Sequence, residues 1–197
     1  GYPLSVNETF QLRNTGRDLR ESWELVAKLE RSSRESGLQL VVYLSMGFGN
    51  PYGEEWNPAH TAEAAARLAD LGVERVAIAD TVGNAEAALV SDVVGAVEFP
   101  GELGLHLHAR PDGWRETVDA AWAAGIRWFE GALAGMGGCP FAHDELVGNL
   151  PTELVLPHLL ELSGQTGGET AAALPRLAAD ARAIAAEYSL TAPGATS

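Results

Sequence analysis

Two histidines separated by a single residue, His106 and His108, stand in the run GLHLHA. Side chains at positions i and i+2 of a strand leave the same face. Two imidazoles so placed can share one metal ion. An isolated pair of this kind can also be two histidines satisfying separate hydrogen bonds at a strand end. Here Asp80, Cys139 and Asn149 stand on neighbouring connections, and their company favours the shared ion.

Cys139 lies in GMGGCPFA, where the preceding glycines and Pro140 make a loop in place of a core strand. A lone cysteine is usually a small buried hydrophobe. On a Gly-rich loop over a pocket it is better placed for proton transfer or nucleophilic work, and it is taken as a catalytic candidate. Asp80 closes the apolar run of IADTVG with a carboxylate; it either holds the following turn or joins Cys139 in the chemistry. Glu130 closes WFEG in the same way. Asn7, Asn50 and Glu130 stand at or just beyond strand ends and are candidate substrate-binding residues. The loop FGNPYGEEW (48–56) owes its shape to Gly, Asn and Pro, and its length and aromatics also suit a substrate lid. Arg13 and Arg110 lie where they could meet a substrate phosphate or carboxylate. His60 and His158 read as helix-surface residues, and His143 as a loop contact.

These residues need a scaffold that gathers strand ends. Residues 2–7 read as a strand end, 38–46, 75–80, 102–108 and 126–133 as strands. Helical periods fill 17–36, 58–71, 85–97, 113–124, 151–162 and 169–188. In 17–36 the inner face is sampled by Leu19, Trp23, Val26, Ala27 and Leu29/Glu30. Asn57 and Pro58 mark one helix start, and Gly37, Gly72 and Gly125 mark helix ends. Apolar strands alternating with helices predict parallel strands joined by crossover helices. In such folds the ligand site forms at the C-terminal strand ends, where the chemical residues fall. Five strands suffice for an open doubly wound sheet, whereas a (β/α)8 barrel needs three more.

The chain has 197 residues, 46% hydrophobic and 20% charged, which suits a domain with a real core. Its net charge of −14 makes nucleic acid a poor partner. The apolar runs are strand-sized, so no membrane partner is expected. One cysteine allows no internal disulfide, and a cytoplasmic location is the default. No GxGxxG or P-loop phosphate motif is present. The chain opens on Gly1 close to a strand, which suggests protein upstream.

The stretches SVNETFQLRNTG (5–16), YLSMGFGNPYGEEW (43–56), LGVERVAIADTVG (71–83), GLHLHA (104–109), AGMGGCPFA (134–142) and GNLPTELV (148–155), in this order, resemble hydroxymethylglutaryl-CoA lyase and its kin. Those kin are metal-dependent TIM-barrel lyases and condensing synthases, including isopropylmalate, homocitrate and citramalate synthases. GGCPFA followed by GN points to the lyase branch. The resemblance implies an α/β fold, a (β/α)8 TIM barrel of which about the last five βα units fall in 1–150. Helices over 151–190 and a flexible tail over 191–197 would follow.

The resemblance makes His106 and His108 ligands of a divalent metal, Asn149 a third ligand, and Cys139 the catalytic cysteine. The family's remaining ligand, an aspartate, and a catalytic arginine lie on a first barrel strand with an Asp-Arg-Glu signature, which this sequence does not contain. Departures surround the pocket. Ala109-Arg110-Pro111-Asp112 replaces an Asp-Thr-Tyr-Gly run, Asn50 replaces a cysteine, and Glu130 replaces an aspartate. Imidazole and oxygen ligands suit Mg2+ or Mn2+. The implied reaction is retro-Claisen or retro-aldol cleavage of a 3-hydroxy-3-methylglutaryl-CoA-like acyl-CoA, by a homodimer. The alternatives are an inactive or incomplete barrel with a structural role, and a related condensing synthase.

Overall fold

A computed structural model describes residues 1–110, 113–137 and 148–187. Five strands, β1 (Tyr2–Ser5), β2 (Val41–Ser45), β3 (Arg75–Ala79), β4 (Glu102–His106) and β6 (Trp128–Glu130), pair in the order β1-β2-β3-β4-β6, all parallel. Each new strand adds to the same edge. A doubly wound sheet reverses its direction of growth at a switch point, and this one does not. The sheet is therefore of the singly wound kind that closes into barrels.

The register sorts the strand residues into two faces. Leu4, Leu44, Ile78 and Leu105 lie in one row, fully buried against the helices. Pro3, Tyr43, Ala77, Gly104 and Trp128 form the next row on the opposite face. Two residues further along that face, Ser5 pairs with Ser45, Ala79 with His106, and His106 in turn with Glu130. The helices α2 (Leu19–Glu35), α3 (Pro58–Asp70), α4 (Ala87–Ala96) and α5 (Trp114–Ala123) cover the apolar face. Their Val26, Ala65, Leu68, Val90, Val93, Val118 and Ala121 complete the core. At about 25 cal/mol per Å² of apolar surface, this burial is the main force holding the layers together.

Local signals explain the helix starts. Asp18 and Glu21 form a capping box on α2, and Asn57 caps α3 with Pro58 in its first turn. His60 belongs to the same cap, its Nδ1 accepting from Asn57 N at 3.2 Å. The inner face of α2 is Ser22, Val26 and Glu30; Leu19, Trp23, Ala27 and Leu29 flank it half-buried. The structure adds α1 (Glu8–Thr15), which the sequence pattern did not predict. It also divides the expected strand 102–108: β4 ends at His106, and β5 (His108–Ala109) begins a separate antiparallel pair with β7 (Gly148–Asn149). The expected strand 126–133 contracts to β6, followed by a 3-10 turn, η1 (Leu133–Gly135), where Ala134 takes a φ of 59°. Two helices, α6 (Thr152–Ser163) and α7 (Gly168–Glu187), close the described chain. Cys139, His143 and the expected tail 191–197 lie outside the described residues.

Candidate metal centre

His106 sits on the last residue of β4 and His108 opens β5, with the buried Leu107 between them. Their rings lie 5.0 Å apart at 89°. The two ring planes are not stacked alike, because the strand breaks between them.

Each Nδ1 has a partner that can only accept. His108 Nδ1 lies 2.6 Å from the main-chain oxygen of Asp80, and His106 Nδ1 lies 3.1 Å from Glu130 Oε2. Each Nδ1 must then carry the proton, which leaves a lone pair on each Nε2. Neither Nε2 has a hydrogen-bond partner among the described residues. An imidazole anchored through one nitrogen with the other left bare is the arrangement metal-binding histidines adopt. Burial first, and then His108, lowers the pKa of His106 below the ordinary histidine value, against the opposing pull of Glu130. The neutral, ligating form is favoured.

Asn149 faces His108 as its register partner in the β5–β7 pair. Its Nδ2 donates to Met136 O at 2.8 Å, so the amide presents Oδ1 on its other side. Two imidazole nitrogens and one amide oxygen form a mixed donor set suited to a divalent cation. Among the described residues no group of three or more His, Cys, Asp or Glu could hold a metal. Among the described residues these three are the donors brought together here, and they could hold an ion that takes its remaining ligands from elsewhere.

Asp80 is buried, and its carboxylate faces the turn that follows: Oδ1 accepts from Asn84 N at 2.9 Å and Oδ2 from Ala85 N at 3.1 Å. Burial pushes its pKa up, against the lowering pull of these hydrogen bonds and of His108. The side chain thus does the turn-holding work that sequence reasoning weighed for it, while its main-chain oxygen fixes His108. Glu130 is held from both sides, with Oε1 accepting from Tyr43 OH at 2.8 Å and Oε2 from His106. Tyr43 is pushed up to about 12, first by burial and then by Glu130. Tyr43 is a site residue that sequence reasoning missed. Its inward position on an apolar strand looks like core packing until Glu130 is seen beneath its hydroxyl.

Two other expectations change. Asn50 uses its amide within the loop: Oδ1 accepts from Tyr52 N and Glu54 N, and Nδ2 donates to Glu54 O. The residue builds its own loop. Asn7 caps α1, its Oδ1 accepting from Phe10 N at 2.8 Å, and its buried Nδ2 is left without a formed hydrogen bond. Arg13 lies over the Tyr52 ring at 4.9 Å. His158 is not a helix-surface residue. It is 8% exposed, packed edge-on to Trp114, and bonded to Arg115 at 2.8 Å and Asp119 at 2.5 Å. Its helix docks on α5 through that side chain, which period alone did not reveal.

Comparison with known proteins bears on this geometry. Residues 4–179 match the HMGL-like family. The chain is 30% identical over 166 residues to the cytoplasmic 3-hydroxy-3-methylglutaryl-CoA lyase of Danio rerio, covering 83% of this chain and 49% of that protein. It is 31% identical over 174 residues to the (R)-citramalyl-CoA lyase of Chloroflexus aurantiacus, covering 87% of this chain and 54% of that protein. The chain spans about half the length of these curated relatives. The crystal structure of the Bacillus subtilis HMG-CoA lyase superposes with a TM-score of 0.83 at 26% identity, over 98% of this chain and 64% of that one. The five parallel βα units are thus part of a TIM barrel, and the chain belongs to the HMGL-like family as a hydroxymethylglutaryl-CoA lyase-like member.

Proposed function

We propose that this chain supplies the metal-binding part of a divalent-cation-dependent carbon–carbon lyase acting on a 3-hydroxy-3-methylglutaryl-CoA-like acyl-CoA. The observation that carries the reading is the pairing of His108 with Asn149 beside His106, with both Nδ1 atoms anchored. The two relatives named above both bear the names of lyases acting on CoA thioesters, which supports an acyl-CoA substrate.

His106 and His108 through Nε2, and Asn149 through Oδ1, would hold Mg2+ or Mn2+. Such a cation supplies Lewis acidity, lowering the pKa of a substrate hydroxyl and orienting the bond to be broken. In the reaction the hydroxyl proton leaves, the oxygen becomes a ketone, and the carbon–carbon electron pair passes to the α-carbon of the thioester. The Cys139 thiol returns a proton to that carbon. One proton leaves and one arrives, so no oxidant or water is consumed. Asp80 acts through His108 and through the 80–85 turn, as a positioning residue. Glu130 and Asn7 border the mouth, whereas Asn50 shapes the loop beside it. A cytoplasmic homodimer accords with the reading; no described helix is long and apolar enough to cross a membrane.

The test is metal content by elemental analysis together with thioester release from 3-hydroxy-3-methylglutaryl-CoA. The wild-type protein should retain Mg2+ or Mn2+, His108→Ala should lose it, and Cys139→Ala should keep it while turnover falls by orders of magnitude. A His108→Ala protein with wild-type metal content would remove the reading. A wild-type chain that folds, binds no metal and releases no product would favour the non-catalytic barrel instead.

A further inference from the structure

We propose that Glu130 is a positioning residue for the metal ligand His106, and that Tyr43 anchors it from across the sheet. This rests on the divalent-cation reading above. The two imidazoles are held by unlike means. His108 is fixed by a main-chain carbonyl, which moves only with the backbone. His106 is fixed by a side-chain carboxylate, which would swing freely without a second hold. Tyr43 provides that hold, donating its hydroxyl proton to the other carboxylate oxygen.

The interior face is cleared for this span. Tyr43 lies on β2 and Glu130 on β6, so the hydroxyl must cross β3 and β4. The residues between them on that face are Ala77, Ala79 and Gly104, with His106 itself as the one large side chain, its ring 6.1 Å from that of Tyr43. Glu130 is the register neighbour of His106, and its two oxygens serve partners on different strands. Aspartate at 130, one methylene shorter from the same Cα, would not span both. Glutamate and tyrosine are matched in length here. A carboxylate behind an imidazole also makes the other ring nitrogen a stronger donor.

The experiment measures Mn2+ affinity of the whole chain by calorimetric titration, beside the melting temperature of the metal-free protein. Removing an orienting partner of this kind typically costs about 10–100-fold in metal affinity. Glu130→Gln should lose within that range, because the amide cannot accept from both partners at once. Tyr43→Phe should fall between Glu130→Gln and wild type, and Glu130→Asp should also bind less tightly than wild type. The metal-free melting temperature should change little in Tyr43→Phe. His108→Ala separates the two readings. If it binds Mn2+ as wild type does, the cation site itself is wrong. If it loses Mn2+ while Glu130→Gln and Tyr43→Phe bind normally, or change only the melting temperature, the positioning role is overturned.

Discussion

The main-chain oxygen of Asp80 lies 2.6 Å from His108 Nδ1, while the Asp80 carboxylate accepts from Asn84 N and Ala85 N. One residue thus orients an imidazole with its backbone and the next turn with its side chain. Replacing the side chain alone separates the jobs. In Asp80→Asn the amide can accept one of the two N–H groups but sets its own donor against the other. An unsatisfied buried donor costs about 1–3 kcal/mol. The pH dependence follows from burial raising the Asp80 pKa in the folded chain. Its contribution is complete below the unfolded value of 3.8 and is lost as pH rises through the higher folded value. The gap in melting temperature between wild type and Asp80→Asn should therefore be widest in acid and narrow as pH rises. A gap that widens instead would show the carboxylate to be stabilised in its charged form.

The sequence disclosed the parts of this architecture that have a period. The apolar runs at 38–46, 75–80 and 102–108 hold the strands β2, β3 and β4, and the intervening stripes became helices. Helix α1 escaped because ETFQLRNT buries only Phe10 and Gln11 and has no stripe. Its signals were chemical: Asn7 as cap, Glu8 in the first turn and Gly16 in the left-handed conformation at its end. Asn7, read first as a ligand contact, is one of those signals. The histidine pair was legible for a similar reason, since i and i+2 fix proximity. Which nitrogen each ring leaves bare was not, because Glu130 and Asp80 are 24 and 28 residues distant in sequence. Those partners meet only once the parallel register is set.

Tyr43 gives the carboxylate bridge a spectroscopic handle. Its ionisation is pushed from 10.0 up to about 12 by burial and by Glu130. A raised folded value means a contribution intact below the unfolded value of 10.0 and lost as pH climbs through about 12. A difference titration of tyrosinate absorbance, wild type against Tyr43→Phe, should show no Tyr43 ionisation at pH 10. In Glu130→Gln the same tyrosine should ionise at lower pH, though still above 10.0, because burial is the larger cause. An unchanged titration in Glu130→Gln would mean the hydroxyl and the carboxylate are not joined in solution.

Glu54 ties the loop after β2 to the start of α1. Its Oε1 accepts from Thr9 N at 3.1 Å and its Oε2 from Glu8 N at 3.3 Å. Hydrogen bonding from Thr9 first, and then from Glu8, holds its carboxyl below the ordinary value in spite of partial burial. An anion on the free N–H groups of a helix start is favourable. Glu54→Ala should cost about 1 kcal/mol, reduced by solvent screening at this accessible position. With a lowered folded pKa, that contribution is present above 4.5 and lost as pH falls through the folded value. Hydrogen exchange should show faster exchange at Glu8 and Thr9 in the variant. Unchanged exchange there would mean that Asn7 alone caps the helix.

Gly104 lies beneath the indole of Trp128, and the contact leaves no room for a side chain: a Cβ at 104 would fall 2.2 Å from Trp128 Cε3 and 2.5 Å from Cδ2. Trp128 in turn lies beside Arg75, which pairs with Glu102 and sits 5.4 Å from the ring centroid. This layer supports Glu130 two residues further along β6. Gly104→Ala should then displace the indole and cost about 1–3 kcal/mol, as overpacking does. Because β6 is only three residues long, the displacement should also reach Glu130 and weaken Mn2+ binding. Trimming the ring separates the clash from any intrinsic effect of alanine in the strand. Gly104→Ala combined with Trp128→Leu should recover part of both losses relative to Gly104→Ala alone. If the double variant is worse than either single one, alanine at 104 harms the sheet by another route, and the link from this layer to the metal ligands fails.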